Sequence, residues 1–351
     1  MALFILAILI KIFSLNSFWV EKYYSQGLYP SISRLLRWLF GWIPLSLGDL
    51  LYAAAFLFFV WKAWKLIRLL AQRQLKTYLS RILFRKYLKL VLWIYLLFNV
   101  LWGLNYDRRG IAGQLGLKVE AYSNTELLSL LDVLEGRLGY YASQVDTARR
   151  LRYNDKSYLF GQGVNDYEHI WWTYPFLDYR NPSIKSSLFG NSGKYFGYQG
   201  YYNPFTAEAQ MKLSIPVFIK PFVLNHEIAH QLGYARENEA SFVSYLTGRR
   251  SRSIEVRYSI YYEMFFQALG QLRGEPEAAL KIMSGIPRRV WIDRSNEMRY
   301  YRDTENAIAP LMTEAYDKYL KLNNQPKGNA TYNEVIAWLI AFMKQYGADA
   351  I

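Results

Sequence analysis

Three apolar stretches fall within the first 105 residues, and they restrict the fold more than any other feature of this 351-residue chain. Ala2 to Val20 is interrupted by Lys11, Ser14, Asn16 and Ser17. The second stretch runs from about Trp38 to Trp61 and is wholly apolar and aromatic from Leu50 onward. The third, Leu90 to Leu104, is broken only by Asn99 and Gly103. In lipid every backbone polar group must bond internally, so such segments become helices. Crossing ~30 Å at 1.5 Å per residue takes about 20 mostly apolar residues, with Trp and Tyr serving as interfacial anchors. The sequence therefore predicts three spans, at about 2–20, 38–61 and 88–104. A cleaved signal peptide is the other reading of the first, but no small-x-small cleavage site follows it, which favours a retained span.

Between the second and third stretches, residues 62–89 carry Lys62, Lys65, Arg68, Arg73, Lys76, Arg81, Arg85, Lys86 and Lys89 and no acidic residue. The positive-inside rule places so basic a loop in the cytoplasm. Leucines alternate with these charges, which suits an amphipathic helix on an anionic leaflet or a solvated connector. Everything after Leu104 is then expected outside. Residues 1–110 hold 15 Lys/Arg against 3 Asp/Glu, whereas residues 111–351 hold 27 against 25. A nucleic-acid binder would carry its excess on the folded domain, so no nucleic-acid partner is expected. The absence of cysteine excludes disulfides, cysteine metal sites and a cysteine nucleophile.

From about Asn105 the composition becomes that of a globular domain, giving a division into a membrane region, 1–105, and an extracytoplasmic domain, 106–351. Helices are expected at Thr125–Val145, Ile254–Gln271, Glu305–Leu322 and Tyr332–Tyr346 from apolar residues recurring at three and four. Arg180–Tyr202 reads as loop leading into a strand. Lys212–Phe222 is apolar, but Pro216, Lys220 and Pro221 argue against a fourth span.

Chemistry concentrates in His226-Glu227-Ile228-Ala229-His230, which holds two of the three histidines. On a helix, positions i and i+4 share a face, so both imidazoles reach one ion, and the glutamate beside it accepts a proton from bound water. With 3 His and 17 Glu in the chain, chance formation of the pattern is roughly one in a thousand, low for a short motif. Apart from Glu227, no charged residue lies between Phe222 and Tyr234. A core helix with hydrogen-bonded histidines is the structural alternative.

A catalytic zinc usually takes three protein ligands and leaves its fourth position to water. Gly233 suits the left-handed position that ends a helix, and the chain continues Ala235-Arg236-Glu237-Asn238-Glu239-Ala240-Ser241-Phe242-Val243. Here the sequence resembles the gluzincin metallopeptidases, in which a glutamate on a second helix completes the site. Their second motif has the ligand glutamate, a small residue three further on and then a polar residue. Glu237, Ala240 and Ser241 fit this register. Glu239 is the alternative third ligand and fits less well, because Val243 takes the polar place. The metzincin pattern has Gly233 correctly placed but wants a histidine where Arg236 stands. The wider layout resembles an uncharacterised bacterial family of three amino-terminal spans and an extracytoplasmic domain with this zinc signature. The comparison rests on Gly41-Trp42-Ile43-Pro44, Leu101 to Tyr106, Gly200 to Thr206 and His226 to Tyr245.

Two further stretches invite a role. Gly200 to Met211 is either a strand edging the cleft, open to a peptide by main-chain pairing, or a core hairpin. His169 is either an oxyanion-stabilising imidazole or a histidine packed among aromatics. The expected fold class is mainly α, with three transmembrane helices followed by an α+β, gluzincin-like (zincin) domain with a small sheet. The resemblance implies a zinc metallopeptidase with Zn2+ on His226, His230 and Glu237 and with Glu227 as general base. It would be multi-pass in the bacterial inner membrane, with its domain periplasmic and a peptide or protein of the cell envelope as substrate. The alternative is an envelope scaffold with a structural zinc.

Overall fold

The computed structural model describes residues 1–72, 81–190, 197–272, 274–328, 331 and 334–351. The chain begins with α1 (Ala2–Ser14), which bends by 94° into a continuous helical run, α2 (Ser17–Phe40), π-helical over Val20–Leu28. Asn16 sets the bend, its side chain accepting from the amides of Phe18 and Trp19 at 3.1 Å. Next come α3 (Leu47–Ala71) and α4 (Arg81–Leu101), which lie close enough that Lys62 of α3 sits 5.8 Å from the Tyr87 ring of α4. Then follow α5 (Asn124–Gln144) and α6 (Lys156–Ile170), and strands β1 (Ile184–Ser186), β2 (Gly200–Asn203) and β3 (Glu208–Met211). The remaining main helices are α7 (Lys220–Gln231), α8 (Glu237–Gly248), α9 (Ile254–Leu269), α10 (Pro276–Gly285), α11 (Arg288–Thr304), α12 (Ala309–Leu322) and α13 (Val335–Tyr346). The molecule is mainly helical, as its periodicity predicts.

Three spans are not found. Among the described residues one helix, α3, is long and apolar enough to cross a membrane, and α1 with α2 passes only as a bent pair. Length rules out α1, whose 13 residues reach about 20 Å at 1.5 Å per residue, short of the ~30 Å hydrocarbon core. Charge sets α4 apart: its 21 residues reach about 31 Å, but Arg81, Arg85, Lys86 and Lys89 occupy the first nine positions, and only Leu90 to Leu101 is free of charge. Residues 73–80 of the basic loop, and with them much of its amphipathic pattern, lie outside the described residues, as do Tyr332 and Asn333 ahead of α13.

The sheet has the order β1-β3-β2. β1 pairs with β3 in parallel (Ile184 opposite Ala209), and β2 with β3 antiparallel (Gly200 opposite Met211, Asn203 opposite Glu208). Arg180–Tyr202 thus contributes two strands, and Gly200–Met211 is a hairpin whose outer strand, β2, is an edge. The main core joins Leu127, Leu131, Leu134 and Leu138 of α5 to apolar residues of α7, α8, α9 and α13. A second core crosses the boundary near residue 105. Val20, Tyr24, Tyr29, Trp102 and Leu104 pack with Tyr106, Tyr202, Ala207 and Ala235, flanked by Ile10, Phe13 and Phe98.

Polar contacts cross there too. The buried Glu21 carboxylate accepts from Arg108 Nη2 at 2.7 Å and Nε at 3.0 Å, from Gly110 N at 3.1 Å and from Gln114 Nε2 at 3.0 Å. The Arg108 guanidinium also lies 4.6 Å from the Tyr234 ring centre. Removing one partner of a buried pair leaves the other charge unpaired. Glu21→Ala is therefore expected to cost the full-length protein about 3–5 kcal/mol, read as a loss in denaturant unfolding. A cost within error of zero would show that the pair does not tie the two regions together.

Candidate functional site

The site is built on α7, which starts at the Pro216–Pro221 breakers and is buried along its length. Its end is fixed by Gly233, whose φ of +87° takes the left-handed conformation, with Tyr234 N bonding back to Ala229 O at 3.2 Å. A Cβ on Gly233 would also stand 2.7 Å from the Tyr29 ring. The turn lets α8 begin at Glu237, whose amide donates to Gln325 Oε1 at 3.1 Å.

His226 and His230 stand on one face of α7 with ring centres 4.7 Å apart. Glu237 Oε2 lies 3.0 Å from His226 Nε2 and 3.5 Å from His230 Nε2. One ligand atom from each of the three residues falls within 4.8 Å of the others, and all three are buried. The rings are held from behind. His230 Nδ1 contacts Tyr234 O at 2.7 Å and His226 Nδ1 contacts Ser241 Oγ at 3.2 Å, which turns both Nε2 atoms toward Glu237. Ser241 is the polar residue that the gluzincin register asks for.

Glu227 lies beside this cluster. Burial, together with the nearby Glu237 charge and against the pull of His230, pushes its carboxyl up to about 8. Among the described residues its Oε2 has no hydrogen-bond partner. Gly200 of β2 presses against it, and a Cβ there would sit 2.6 Å from Glu227 Oε1. Burial also raises the Glu237 carboxyl, but the two imidazoles outweigh it and hold that group well below the ordinary range. Burial lowers His230, yet Glu237 and Glu227 bring it up to about 9, whereas burial dominates at His226 and lowers it. The ionised Glu237 carboxylate thus favours a positive charge between the rings.

Glu239 is turned elsewhere. Two residues along a helix means a rotation of about 200°, so Glu237 and Glu239 do not share a face. The Glu239 carboxylate is fully buried against Gly110 and lies 3.6 Å from Arg236 Nη1. Arg236 itself donates to Tyr106 O and Arg108 O at 3.1 Å each, a bracing role where a metzincin would have its third ligand. His169 is exposed in the last turn of α6 and is not part of the cluster; the aromatic packing expected of it belongs to the buried Tyr167 instead. One participant escaped the sequence. Tyr316 of α12 donates to Glu237 Oε1 at 2.5 Å, and nothing distinguishes it among 31 tyrosines.

Fold and site together define a mainly helical protein with at least one helix of membrane-crossing length and a buried cluster of two histidines and a carboxylate. Residues 24–340 match the family described as protein of unknown function (DUF3810), and the chain belongs to that family. No curated protein and no solved structure matches it. The cluster sets its own test. His226→Ala, His230→Ala and Glu237→Ala are each expected to lose stoichiometric divalent metal, measured by mass spectrometry of the purified full-length protein, while Glu239→Ala keeps it. Loss in Glu239→Ala alone would overturn this ligand set.

Proposed function

We propose that the protein is a membrane-associated zinc peptidase. The observation that carries this reading is the convergence of His226, His230 and Glu237 beside a buried Glu227 with an unpartnered oxygen. Two imidazole nitrogens and one carboxylate oxygen are the donor set of catalytic zinc, and no fourth His, Cys, Asp or Glu joins them among the described residues. Structural zinc normally has four protein ligands, which weighs against a scaffold. Zinc bound here would polarise the scissile carbonyl and make water acidic.

The chain's own groups do the rest. Glu227 accepts a proton from the attacking water and delivers it to the amide nitrogen, a role suited to a carboxyl whose affinity for protons is raised. Tyr234 O and Ser241 fix the imidazoles. Tyr316 orients the Glu237 carboxylate through its Oε1. Gly200, lacking a side chain, lets β2 lie against Glu227. We place the domain outside the cytoplasm, on the periplasmic face of a bacterial inner membrane. Lys62, Lys65 and Arg68 sit at the far end of α3 from the domain, on the side that the positive-inside rule makes cytoplasmic, and α4, with Arg85, Lys86 and Lys89 towards that same side, brings the chain back across to Trp102 at the site.

Two experiments test this. Glu227→Gln keeps the volume and removes the proton-accepting charge. It should retain zinc and lose chelator-sensitive cleavage of casein or a peptide library by at least ~10²-fold. Cleavage at the wild-type rate would sink the mechanism. A reporter active only outside the cytoplasm should be active when fused after Leu104 and silent after Ala71; the opposite pattern reverses the topology.

A further inference from the structure

We infer that the substrate is a polypeptide anchored in the same bilayer as this protein and cut within a few residues of the membrane surface. The inference rests on the peptidase reading and deepens it. It comes from how closely the site is joined to the start of the membrane-length helix. Gly200 lies against Glu227, and the next residue, Tyr201, donates to Asp49 Oδ1, with its ring 5.9 Å from that of Tyr52. Asp49 and Tyr52 are the third and sixth residues of α3, so the strand beside Glu227 touches that helix in its first two turns, about 8 Å along its axis.

The other elements agree. Trp102, one residue past the end of α4, donates from Nε1 to His230 O at 3.2 Å, and its ring stands 6.1 Å from the His230 ring. Trp42, between α2 and α3, is 78% exposed, as are Trp38 at 64% in the last turn of α2 and Leu45 at 54% just ahead of α3. Large apolar and indole side chains presented to the outside just ahead of an apolar helix mark the level of the membrane interface. Lys185 Nζ ties this segment to β1 by donating to the carbonyls of Gly41 and Ile43. No stalk separates site from bilayer. Adding a tyrosine side chain and one residue of strand to the helix start puts Glu227 about 10–15 Å from the interface. An extended chain gains 3.3–3.6 Å per residue, so about three to five residues bridge that gap. A substrate held in the bilayer arrives at this height with its local concentration already raised by tethering.

The test has two arms, both on the full-length protein in vesicles of phosphatidylethanolamine and phosphatidylglycerol. The chain has no cysteine, so Gln199→Cys carries a single fluorescent donor, and energy transfer to headgroup-labelled lipid gives its height. A closest approach under about 20 Å is expected, a short peptide's length from the surface, and more than ~35 Å overturns the placement. The second arm uses wild-type protein and one cleavable peptide in three forms: free, or lipid-anchored through about 5 or about 30 residues, the first matching the three-to-five-residue gap and the second far exceeding it. Both anchored forms should be cut at least ~10-fold faster than the free one, a threshold set below the ~10²–10⁴ that tethering can give, and the short spacer at least as fast as the long. Cleavage of the long-spacer form alone, or equal rates for free and anchored peptide, overturns the substrate class while leaving the peptidase reading intact. A donor close to the membrane with none of the three peptides cut overturns both.

Discussion

The carboxyl end of the motif helix is where the molecule is tied together, and Gln231 is the knot. A helix leaves its last four carbonyls without internal partners, and when the end is buried other groups must satisfy them. Here they come from far away in sequence. Gln231 O accepts from Tyr29 Oη at 2.9 Å, Ser33 Oγ at 2.8 Å and Arg37 Nη1 at 3.1 Å. The Gln231 side chain accepts from Tyr179 Oη at 2.6 Å and donates to Ser183 O and Ala207 O at 2.8 and 2.7 Å, on the two sides of the β1–β3 pair. One residue after His230 therefore couples α2, the sheet and the motif helix. The imidazole cannot shift without disturbing all three.

The start of α3 shows the same physics with the sign reversed. Any helix has unsatisfied amides and a partial positive charge at its amino end. Two buried carboxylates meet it. Glu208 accepts from Leu47 N at 3.1 Å and Gly48 N at 2.6 Å, and Asp49 accepts from Leu188 N at 2.6 Å and from Tyr201. Ser46 caps the turn by accepting from Asp49 N at 2.9 Å. These charges anchor the helix to the strands that flank Glu227, which is why the site and the start of α3 cannot be described separately.

Within the site, two carboxylates ten residues apart are driven in opposite directions by their neighbours. Glu237 faces two imidazoles and stays ionised, whereas Glu227 has its Oε2 without a hydrogen-bond partner and holds a proton more readily. Paired carboxyl groups separated in this way are suited to different tasks, one to hold a cation and one to exchange protons. The division follows from where each residue sits relative to one helical turn.

The sequence by itself determined the local facts: the i, i+4 histidines on one face, the Gly233 stop, the breakers before Lys220, and the amphipathic periods of α5, α9 and α13. These were legible because they depend on helical spacing, which extends over only a few residues. The preference for Glu237 over Glu239 came instead from the resemblance to gluzincins, through Ala240 and Ser241 three and four residues later. Tertiary structure decided the rest. The α1 segment is too short and the α4 segment too basic to count as a wholly apolar span, and this became visible only once the 94° bend and the helix bounds were known. The short strand β1, the exposure of His169 and the contact of Tyr316 with Glu237 have no periodic signature. The pairing of Glu21 with Arg108, and of Gln231 with Tyr29, Ser33 and Arg37, spans 87 to 202 residues. Such contacts depend on complementary buried groups meeting across the fold, and no local pattern of side chains records which partner each will find.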